Sequence, residues 1–357
     1  MHVMSTPDPG KLGDEARALA RGVVRRGRAL TGGSRVRDDD RRTLVACSGG
    51  ADSVCLAICL ASGSDGLVLG HVRHDLRDEA ETARERDSVR QLAGRLGLLF
   101  AERSVRATGL AGNWESNARR VRYGALEEMA VGHACPFIAT GHQANDQVET
   151  MLMALARGAG PRGLAGVPAV RRVGRGEIRV VRPQLHLVRA QCELICRDAR
   201  VPWAEDSTNA DVGRLRAALR RGVASELLAI RPALASRALD AASLLRGAAD
   251  VIDERAVALC ASATRSGDRL VWGRDALRAE RHDVVVAGAL RRAHVAFVGR
   301  GDRLSYRQAM QAARAIRSSS NEVRSFAWAG AVLRVDGREV VLTAMLGRSG
   351  AHHGVDA

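Results

Sequence analysis

The sequence predicts an α/β protein with a parallel-sheet, Rossmann-like N-terminal domain, a helical connector and a small α+β C-terminal domain. Segments with the apolar spacing of helices alternate with four short apolar runs, at residues 44–46, 66–70, 98–100 and 137–140. Such alternation predicts right-handed strand-helix-strand crossovers and a ligand site at the carboxyl ends of the strands. Further along, an Asp336-Gly337 turn between two apolar runs predicts a hairpin.

Changes in composition divide the chain into five predicted parts. Pro232 follows a basic segment and precedes an Ala- and Leu-rich stretch of helical character. The parts are a polar tail with a basic helix at 1–40, the α/β domain at 41–231, the helical connector at 232–264, the small α+β domain at 265–346 and a disordered tail at 347–357.

The charge of the chain points to a polyanionic partner. It has 55 basic and 40 acidic residues, a net charge of +15 and a pI near 10.9. A solvated basic surface in an arginine-rich proteome is the alternative, because Lys11 is the only lysine.

Cysteine usage and hydropathy indicate the compartment. The seven cysteines include no Cys-x-x-Cys pair, and the four-residue spacing of Cys55/Cys59 and Cys192/Cys196 is typical of buried thiols in a reducing environment. No apolar run is long enough to cross a bilayer, and the N-terminus has no signal-peptide core. We therefore expect a cytoplasmic protein without membrane contact.

The segment after the first apolar run carries the strongest local signal, Ser48-Gly49-Gly50-Ala51-Asp52-Ser53. Two adjacent glycines permit backbone torsions and a close approach that side chains would block. Ser48, Ser53 and the amides of the new helix can donate to phosphate oxygens, whereas Asp52 can only accept and suits Mg²⁺ carried by the phosphates. The alternative is an ordinary strand-to-helix turn, since Ser, Gly and Asp are common turn residues.

A second informative segment, Gly141 to Thr150, follows the fourth apolar run. The predicted buried stripe of its helix consists of Val148, Met151, Leu152 and Leu155. Asp146, Glu149 and Arg157 then lie toward the other side. Two carboxylates three residues apart at a strand end can hold Mg²⁺ or an ammonium group, with His142 nearby for phosphate or proton handling. A solvated acidic helix face is the alternative.

Several motifs together carry a family resemblance. The loop resembles that of the N-type ATP pyrophosphatases, the PP-loop proteins, which cleave ATP between the α and β phosphates. From about Thr43 to Thr343 the chain resembles the tRNA(Ile)-lysidine synthetase family. The motifs, in the family's order, are Ser48 to Ser53, His71 to Arg77, Asn113 to Arg119 with Arg122-Tyr123, Gly141 to Thr150, Arg157 to Gly166, and Asp206 to Asn209.

This resemblance implies an adenine nucleotide alpha-hydrolase-like fold and a reaction. ATP, with Mg²⁺, adenylates the wobble cytidine of tRNA(Ile) with a CAU anticodon, and free L-lysine then gives lysidine, with release of AMP and pyrophosphate. It implies that the small C-terminal domain binds tRNA. The implied nucleotide-binding residues are Ser48, Gly49, Gly50, Ala51, Asp52, Ser53 and His74. The implied catalytic residues are Asp52, His142, Asp146, Glu149, Arg157 and Arg216, with Asp52 and Asp146 at the metal.

The chain departs from the family pattern at a few positions outside the loop. The family usually has Asp at Asn145, Pro at Ser207 and Ser225, and Asn at Ala217. Altered lysine or tRNA specificity is therefore open. The alternative functions are another PP-loop tRNA-modifying enzyme such as a tRNA thiolase, a GMP or NAD synthetase, and a non-catalytic RNA-binding paralogue. The oligomeric state is open as well, with a homodimer as one option.

Overall fold

The computed structural model describes residues 12–33, 37, 39–75, 79–106, 114–174, 178–204, 218–298 and 304–345, with the backbone alone at 39, 74, 114–116, 220 and 221. The chain divides into two compact units, Met1–Leu244 and Leu245–Ala357. The five-part division inferred from the sequence stays a prediction, and the tail at 347–357 lies outside the described residues. None of the described helices combines the length and apolar content that crossing a bilayer requires. The cytoplasmic location stays a prediction.

Helices and strands alternate through most of the first unit. Its helices are α1 (Asp14–Leu30), α2 (Ala51–Ala61), α3 (Glu79–Leu96), α4 (Trp114–Gly132), α5 (Ala144–Ala156), α6 (Pro161–Leu164), α7 (Arg189–Asp198), α8 (Ser225–Ile230) and the start of α9 (Leu234–Ala261). Its strands are β1 (Thr43–Ala46), β2 (Leu67–His74), β3 (Leu99–Val105), β4 (Phe137–Thr140), β5 (Val170–Arg172) and β6 (Arg179–Val181). A π-helical turn, Arg220–Ala224, precedes α8.

The strands form one sheet in the order β3-β2-β1-β4-β6-β5. All described pairings in it are parallel except that of β5 with β6. The chain moves from β1 to β2 and β3 on one side, then crosses back to β4 and β6 on the other. Strand order therefore reverses between β1 and β4, and such a reversal opens a crevice at their carboxyl ends. The predicted parallel sheet is confirmed.

Two apolar cores lie on opposite faces of this sheet. Successive strand residues point to opposite faces, so Leu44 belongs to the core beneath α4 and Val45 to the core that includes α1, α2 and α7. The helix α2 is buried along almost its whole length. All seven cysteines are free thiols and six are buried, and the Sγ atoms of Cys55 and Cys59 lie 3.9 Å apart. The prediction of buried thiols is therefore confirmed.

Two features of the first unit differ from the prediction. Leu155, predicted to lie in the buried stripe of α5, is 66% exposed in the last turn of the helix, which ends at Ala156, and no core cluster of the described residues includes it. The edge strand β5 was not predicted, because three exposed residues give no alternating pattern. The rest of the stripe, Val148 with Met151 and Leu152, packs against α8 and α9.

The second unit continues α9 into an antiparallel sheet with helices. Its elements are β7 (Thr264–Ser266), β8 (Arg269–Gly273), α10 (Arg274–Ala279), α11 (Asp283–Val298), α12 (Tyr306–Arg317), β9 (Arg324–Trp328), β10 (Ala331–Val335) and β11 (Glu339–Ala344). The strand order is β7-β8-β11-β10-β9. Apolar residues of the sheet and of α11 and α12 form one buried core. The predicted small α+β domain is thus present as an architecture.

The predicted hairpin is confirmed between β10 and β11, with its loop one residue later than predicted. The amide of Asp336 donates to the carbonyl of Glu339 at 3.0 Å, which leaves Gly337 and Arg338 between them. The Asp336 carboxylate accepts from the amides of Arg338 at 2.9 Å and Glu339 at 2.8 Å. These hydrogen bonds lower the pKa of Asp336 below its usual value.

A buried arginine ties the end of α12 to the hairpin. Arg274 is 1% exposed and donates to four carbonyls, those of Ile316, Ala315, Ser318 and Asp336, at 2.9 to 3.1 Å. Three of them are at the C-terminal end of α12, where carbonyls lack partners within the helix. A cation at that end is also favoured by the helix dipole.

We expect Arg274→Met to lower the free energy of unfolding of the second unit by about 3 kcal/mol, because methionine fills the space but removes the donor to the carbonyls of Ile316 and Asp336. Thermal and denaturant unfolding of the full chain measures the change. Arg269→Met is the control, since the side chain of Arg269 is 62% exposed and its loss should change stability by within about 0.5 kcal/mol. Equal stability of the two variants would contradict this role for Arg274.

Candidate functional site

The loop between β1 and α2 turns on a left-handed glycine and an internal hydroxyl. Gly49 has a φ of +89°, a conformation that favours glycine. The hydroxyl of Ser53 donates to the carbonyl of Gly50 at 2.9 Å and accepts from the amide of Ser48 at 3.1 Å. Gly50 is the N-cap of α2, and no side chain caps that helix. An uncapped helix N-terminus after a glycine turn is well suited to bind phosphate.

Buried groups fix this loop against its neighbours. His71 Nδ1 lies 2.9 Å from the carbonyl of Cys47, which the ring reaches as a donor. The side chain of Gln184 is fully buried, and its amide nitrogen donates to the carbonyls of Asp52 at 2.8 Å and Gly141 at 3.0 Å. Gln184 therefore joins the ends of β4 and β6 to the first turn of α2. Neither residue was predicted as part of the site.

The end of β4 touches the backbone of α2 at Gly141. A Cβ at this position would lie 2.8 Å from the carbonyl oxygen of Asp52 and 3.0 Å from the Cα of Ser53. Both neighbours are backbone atoms, so they cannot rotate away. Glycine at 141 thus brings the two candidate segments of the sequence into direct contact.

We expect Gly141→Ala to weaken the binding of a non-hydrolysable ATP analogue by tenfold or more, and to destabilise the unit by about 1–3 kcal/mol through overcrowding. Isothermal titration and thermal unfolding measure the two effects. Gly124→Ala is the matched control, because a Cβ on this α4 glycine meets nothing within 4 Å and alanine favours a helix. Normal ATP-analogue affinity in Gly141→Ala would show that the contact does not set the loop geometry.

The start of α5 is held by a reciprocal cap. The Gln143 side chain accepts from the amide of Asn145 at 2.7 Å, and the carboxylate of Asp146 accepts from the amide of Gln143 at 2.8 Å. His142 Nδ1 lies 2.9 Å from the hydroxyl of Thr140, at the end of β4. Asp146 therefore helps to define where α5 begins, in addition to any role toward a ligand.

Glu149 and Gln147 are buried in the next turn of α5. Glu149 is 4% exposed, so the alternative of a solvated acidic face does not describe it. Gln147 is 1% exposed and exchanges two hydrogen bonds with the backbone of Val167, at 2.7 and 2.9 Å. Gln147, which was not predicted, thereby fixes the end of the glycine-rich segment that follows α5.

The structure brings together most of the predicted residues of this end of the sheet. The loop, Asp52, His142 and Asp146 lie at the carboxyl ends of β1 and β4, and Glu149 follows one turn later. Arg157 is the exposed C-cap of α5, away from its N-terminus. The side chain of His74, together with Arg216, Ser207 and Ala217, lies outside the described residues. Their assigned roles stay predictions.

The carboxylates fit a metal that arrives with phosphates. Among the described residues, no group of three or more His, Cys, Asp or Glu side chains is placed to hold a metal ion. Mg²⁺ usually takes one or two carboxylates and completes its shell with phosphate oxygens and water. Asp52 and Asp146, in the first turns of α2 and α5, supply carboxylates of that number.

Comparison with known proteins decides between the families that share such a site. Residues 25–227, more than half of the chain, match the PP-loop domain family. A protein from Salinispora arenicola named tRNA(Ile)-lysidine synthase is 37% identical over 244 residues, which cover 67% of this chain and 72% of that protein. The chain belongs to the tRNA(Ile)-lysidine synthase family of PP-loop proteins.

Other members of the tRNA(Ile)-lysidine synthase family differ in how much of their length is matched. The protein from Salinispora tropica is 40% identical over 61% of this chain and 66% of its own length. That from Solibacter usitatus is 40% identical over 53% of this chain and 41% of its own length. The chain thus spans less than two thirds of these two relatives.

Proposed function

We propose that this chain ligates free L-lysine to the wobble cytidine of tRNA(Ile) with a CAU anticodon, using ATP and Mg²⁺ and releasing AMP and pyrophosphate. The observation that carries the proposal is a buried carboxylate, Glu149, in α5, the helix that follows the strand end in contact with the phosphate loop. Formation of an adenylate requires a loop that holds the phosphates of ATP, and binding of a cationic co-substrate requires a carboxylate. The relatives' name supplies the RNA and the amino acid.

ATP supplies the adenylyl group that turns the cytidine carbonyl oxygen into a leaving group. The chain's part in that step is electrostatic, because Gly49, Gly50 and the N-terminus of α2 would hold phosphate oxygens through backbone donors. Asp52 and Asp146 would hold Mg²⁺ beside them. His142, hydrogen-bonded to Thr140, would contact a phosphate or carry a proton.

Lysine attack requires a neutral amine. The lysine ε-ammonium has a pKa of about 10.4 in water, so the site must first attract the cation and then remove a proton. Glu149 provides a negative charge in a buried position, where an opposite charge is attracted more strongly than at the surface. Arg157 and Arg216 are proposed to face the substrates.

The alternatives make different products. A PP-loop tRNA thiolase would transfer sulfur to the tRNA, and a non-catalytic paralogue would bind RNA and leave it unchanged. Cys55, Cys59, Cys192 and Cys196 are buried thiols in a helix-packing core and form no Cys-x-x-Cys pair, which does not favour sulfur transfer.

Nucleoside analysis tests the proposal directly. A CAU-anticodon tRNA(Ile) transcript incubated with the chain, ATP, Mg²⁺ and lysine should yield lysidine, detected by mass spectrometry after digestion. Omission of lysine should abolish the product while pyrophosphate release on adenylation remains. Unmodified cytidine under all conditions, with tRNA bound, would favour the non-catalytic alternative.

A further inference from the structure

Three arginine side chains surround one buried tyrosine at the β5–β6 edge of the parallel sheet. The guanidinium carbons of Arg171, Arg119 and Arg122 lie 4.7, 5.0 and 5.9 Å from the centre of the Tyr123 ring. A fourth arginine, Arg182, is 2% exposed and interacts electrostatically with Tyr123. We call Arg119, Arg122, Arg171 and Arg182 with Tyr123 the arginine cluster.

Strand geometry explains why these residues meet. Arg171 of β5 stands directly opposite Val180 of β6, and cross-strand partners point to the same face. Val180 belongs to the core beneath α4, and so does Tyr123. Arg182, two positions beyond Val180, returns to that face because side chains alternate along a strand. Arg119 and Arg122 come from α4 itself, which packs on the same face.

The cluster lies at the catalytic end of the sheet. Arg182 directly follows the carboxyl end of β6, and its guanidinium donates to the carbonyl of Pro168 at 2.6 Å. Two residues later, Gln184 bonds the backbone of Asp52 and Gly141. One short segment therefore links the arginine cluster to the phosphate loop.

Three arginines of the cluster have no carboxylate partner within the described part of the chain. No ion pair there joins Arg119, Arg171 or Arg182 to an acidic side chain, and Arg182 Nε is buried without a hydrogen-bond partner. The carboxylate of Glu127, one turn along α4 from Tyr123, lies next to Gly174. Burial raises the pKa of Tyr123, but the arginine charges outweigh it and lower that pKa.

Like charges held together cost free energy, so this arrangement favours a ligand of opposite charge. Guanidinium groups bind phosphate oxygens through paired hydrogen bonds, and three of the four are solvent-accessible enough to do so. Arg182 is too buried to bind a phosphate directly and acts as a positioning residue for Tyr123.

We propose that the arginine cluster is a binding site for a backbone phosphate of the RNA substrate, next to the nucleotide that enters the catalytic crevice. This proposal rests on the proposed function, because it assumes a tRNA substrate, and it adds where that substrate binds. ATP already has the loop of Gly49 and Gly50 for its phosphates, on the neighbouring β1 end. A backbone phosphate of the RNA keeps its negative charge throughout the reaction, whereas two phosphates of ATP leave as pyrophosphate. A permanent cluster of positive charges therefore suits the RNA phosphate.

Binding measurements with adjacent arginines test the site. Arg171→Gln and Arg119→Gln should each weaken binding of the tRNA transcript by about tenfold near 100 mM salt. Each should also make the log-log salt dependence shallower by about 0.7–0.9, the value for one lost phosphate contact. Arg172→Gln is the control. It removes the same charge from the next residue of β5, whose side chain points to the opposite face, and should change affinity by less than twofold.

Three results would count against a phosphate site at the arginine cluster. Equal losses for Arg171→Gln and Arg172→Gln, or unchanged tRNA affinity in Arg171→Gln and Arg119→Gln, would overturn the proposal. Weaker binding of the ATP analogue alone would assign the cluster to ATP and would also overturn it. tRNA binding is measured without lysine and without turnover, so it is independent of lysidine formation. A wild-type chain that binds tRNA but makes no lysidine would refute the proposed function, and the binding test of the arginine cluster would still be valid.

Discussion

Replacing Asp52 with asparagine is expected to lower ATP cleavage by about 100-fold or more while the fold stays intact. Asparagine has the shape of aspartate, so packing in the first turn of α2 is preserved. The change removes the charge that we propose holds Mg²⁺ beside the phosphates. The loss of the Asp52 charge from the N-terminus of α2 should lower the free energy of unfolding by only about 0.3–1 kcal/mol.

The measurement is pyrophosphate release at increasing Mg²⁺, with thermal unfolding of the same protein. A half-maximal Mg²⁺ concentration shifted upward would support the metal role. Asp14→Asn is the matched control, because Asp14 also lies in the first turn of a helix, α1, and has no contact with the loop. Asp52→Asn that turns over at a near wild-type rate would remove Asp52 from the site.

Much of the catalytic end was predictable because its signals are local. Gly49-Gly50 follows directly on β1, and the torsions that the turn needs are available to two adjacent residues. The alternation of strands and helices predicted the parallel sheet, and with it the position of the loop at a carboxyl end. Glu149 was found by its spacing from Asp146 on one helix.

The residues that sequence reasoning missed act over long separations. Gln184 bonds Asp52 across 132 residues, and Gln147 bonds Val167 across 20. A buried glutamine has no periodic signature, because its partners are backbone atoms of distant segments. The β5 strand was missed for a similar reason, since its three exposed residues are defined by pairing with β6 rather than by apolar alternation.

The same limit applies to charge. The net charge of +15 predicted a polyanionic partner but not where it would bind. Arg119 and Arg122 stand in a recognisable motif, whereas Arg171 lies on a strand that was not predicted. Only the register of β5 on β6 brings Arg171 over Tyr123.

Glu149→Gln is expected to lower lysidine formation by about 100-fold or more, the usual range for loss of a group that moves a proton. Glutamine keeps the shape of the side chain and deletes its charge, so a buried position is disturbed little in volume. Glu149 is 4% exposed, and a buried carboxylate attracts an opposite charge more strongly than one at the surface does. We propose that the lysine ammonium is that opposite charge.

The test is cleaner at Glu149 than at Asp146. Asp146 caps α5 through the amide of Gln143, so its replacement would change the helix start as well as the charge. Glu149 lies inside the helix, away from the cap. Glu128→Gln on α4 is the control, since the Glu128 side chain is 69% exposed and its loss should change stability by within about 0.5 kcal/mol and leave activity unchanged.

Two reactions measured on the same Glu149→Gln protein separate the roles of the carboxylate. A loss of lysine-dependent turnover of about 100-fold or more, with ATP-pyrophosphate exchange on tRNA retained, would support lysine handling, because phosphates are held mainly by the loop at β1. The protein should then accumulate adenylated tRNA. Equal loss of both reactions would assign Glu149 to the metal or ATP. If neither reaction is impaired, the burial of Glu149 serves the fold alone. The substitution would then change only the free energy of unfolding.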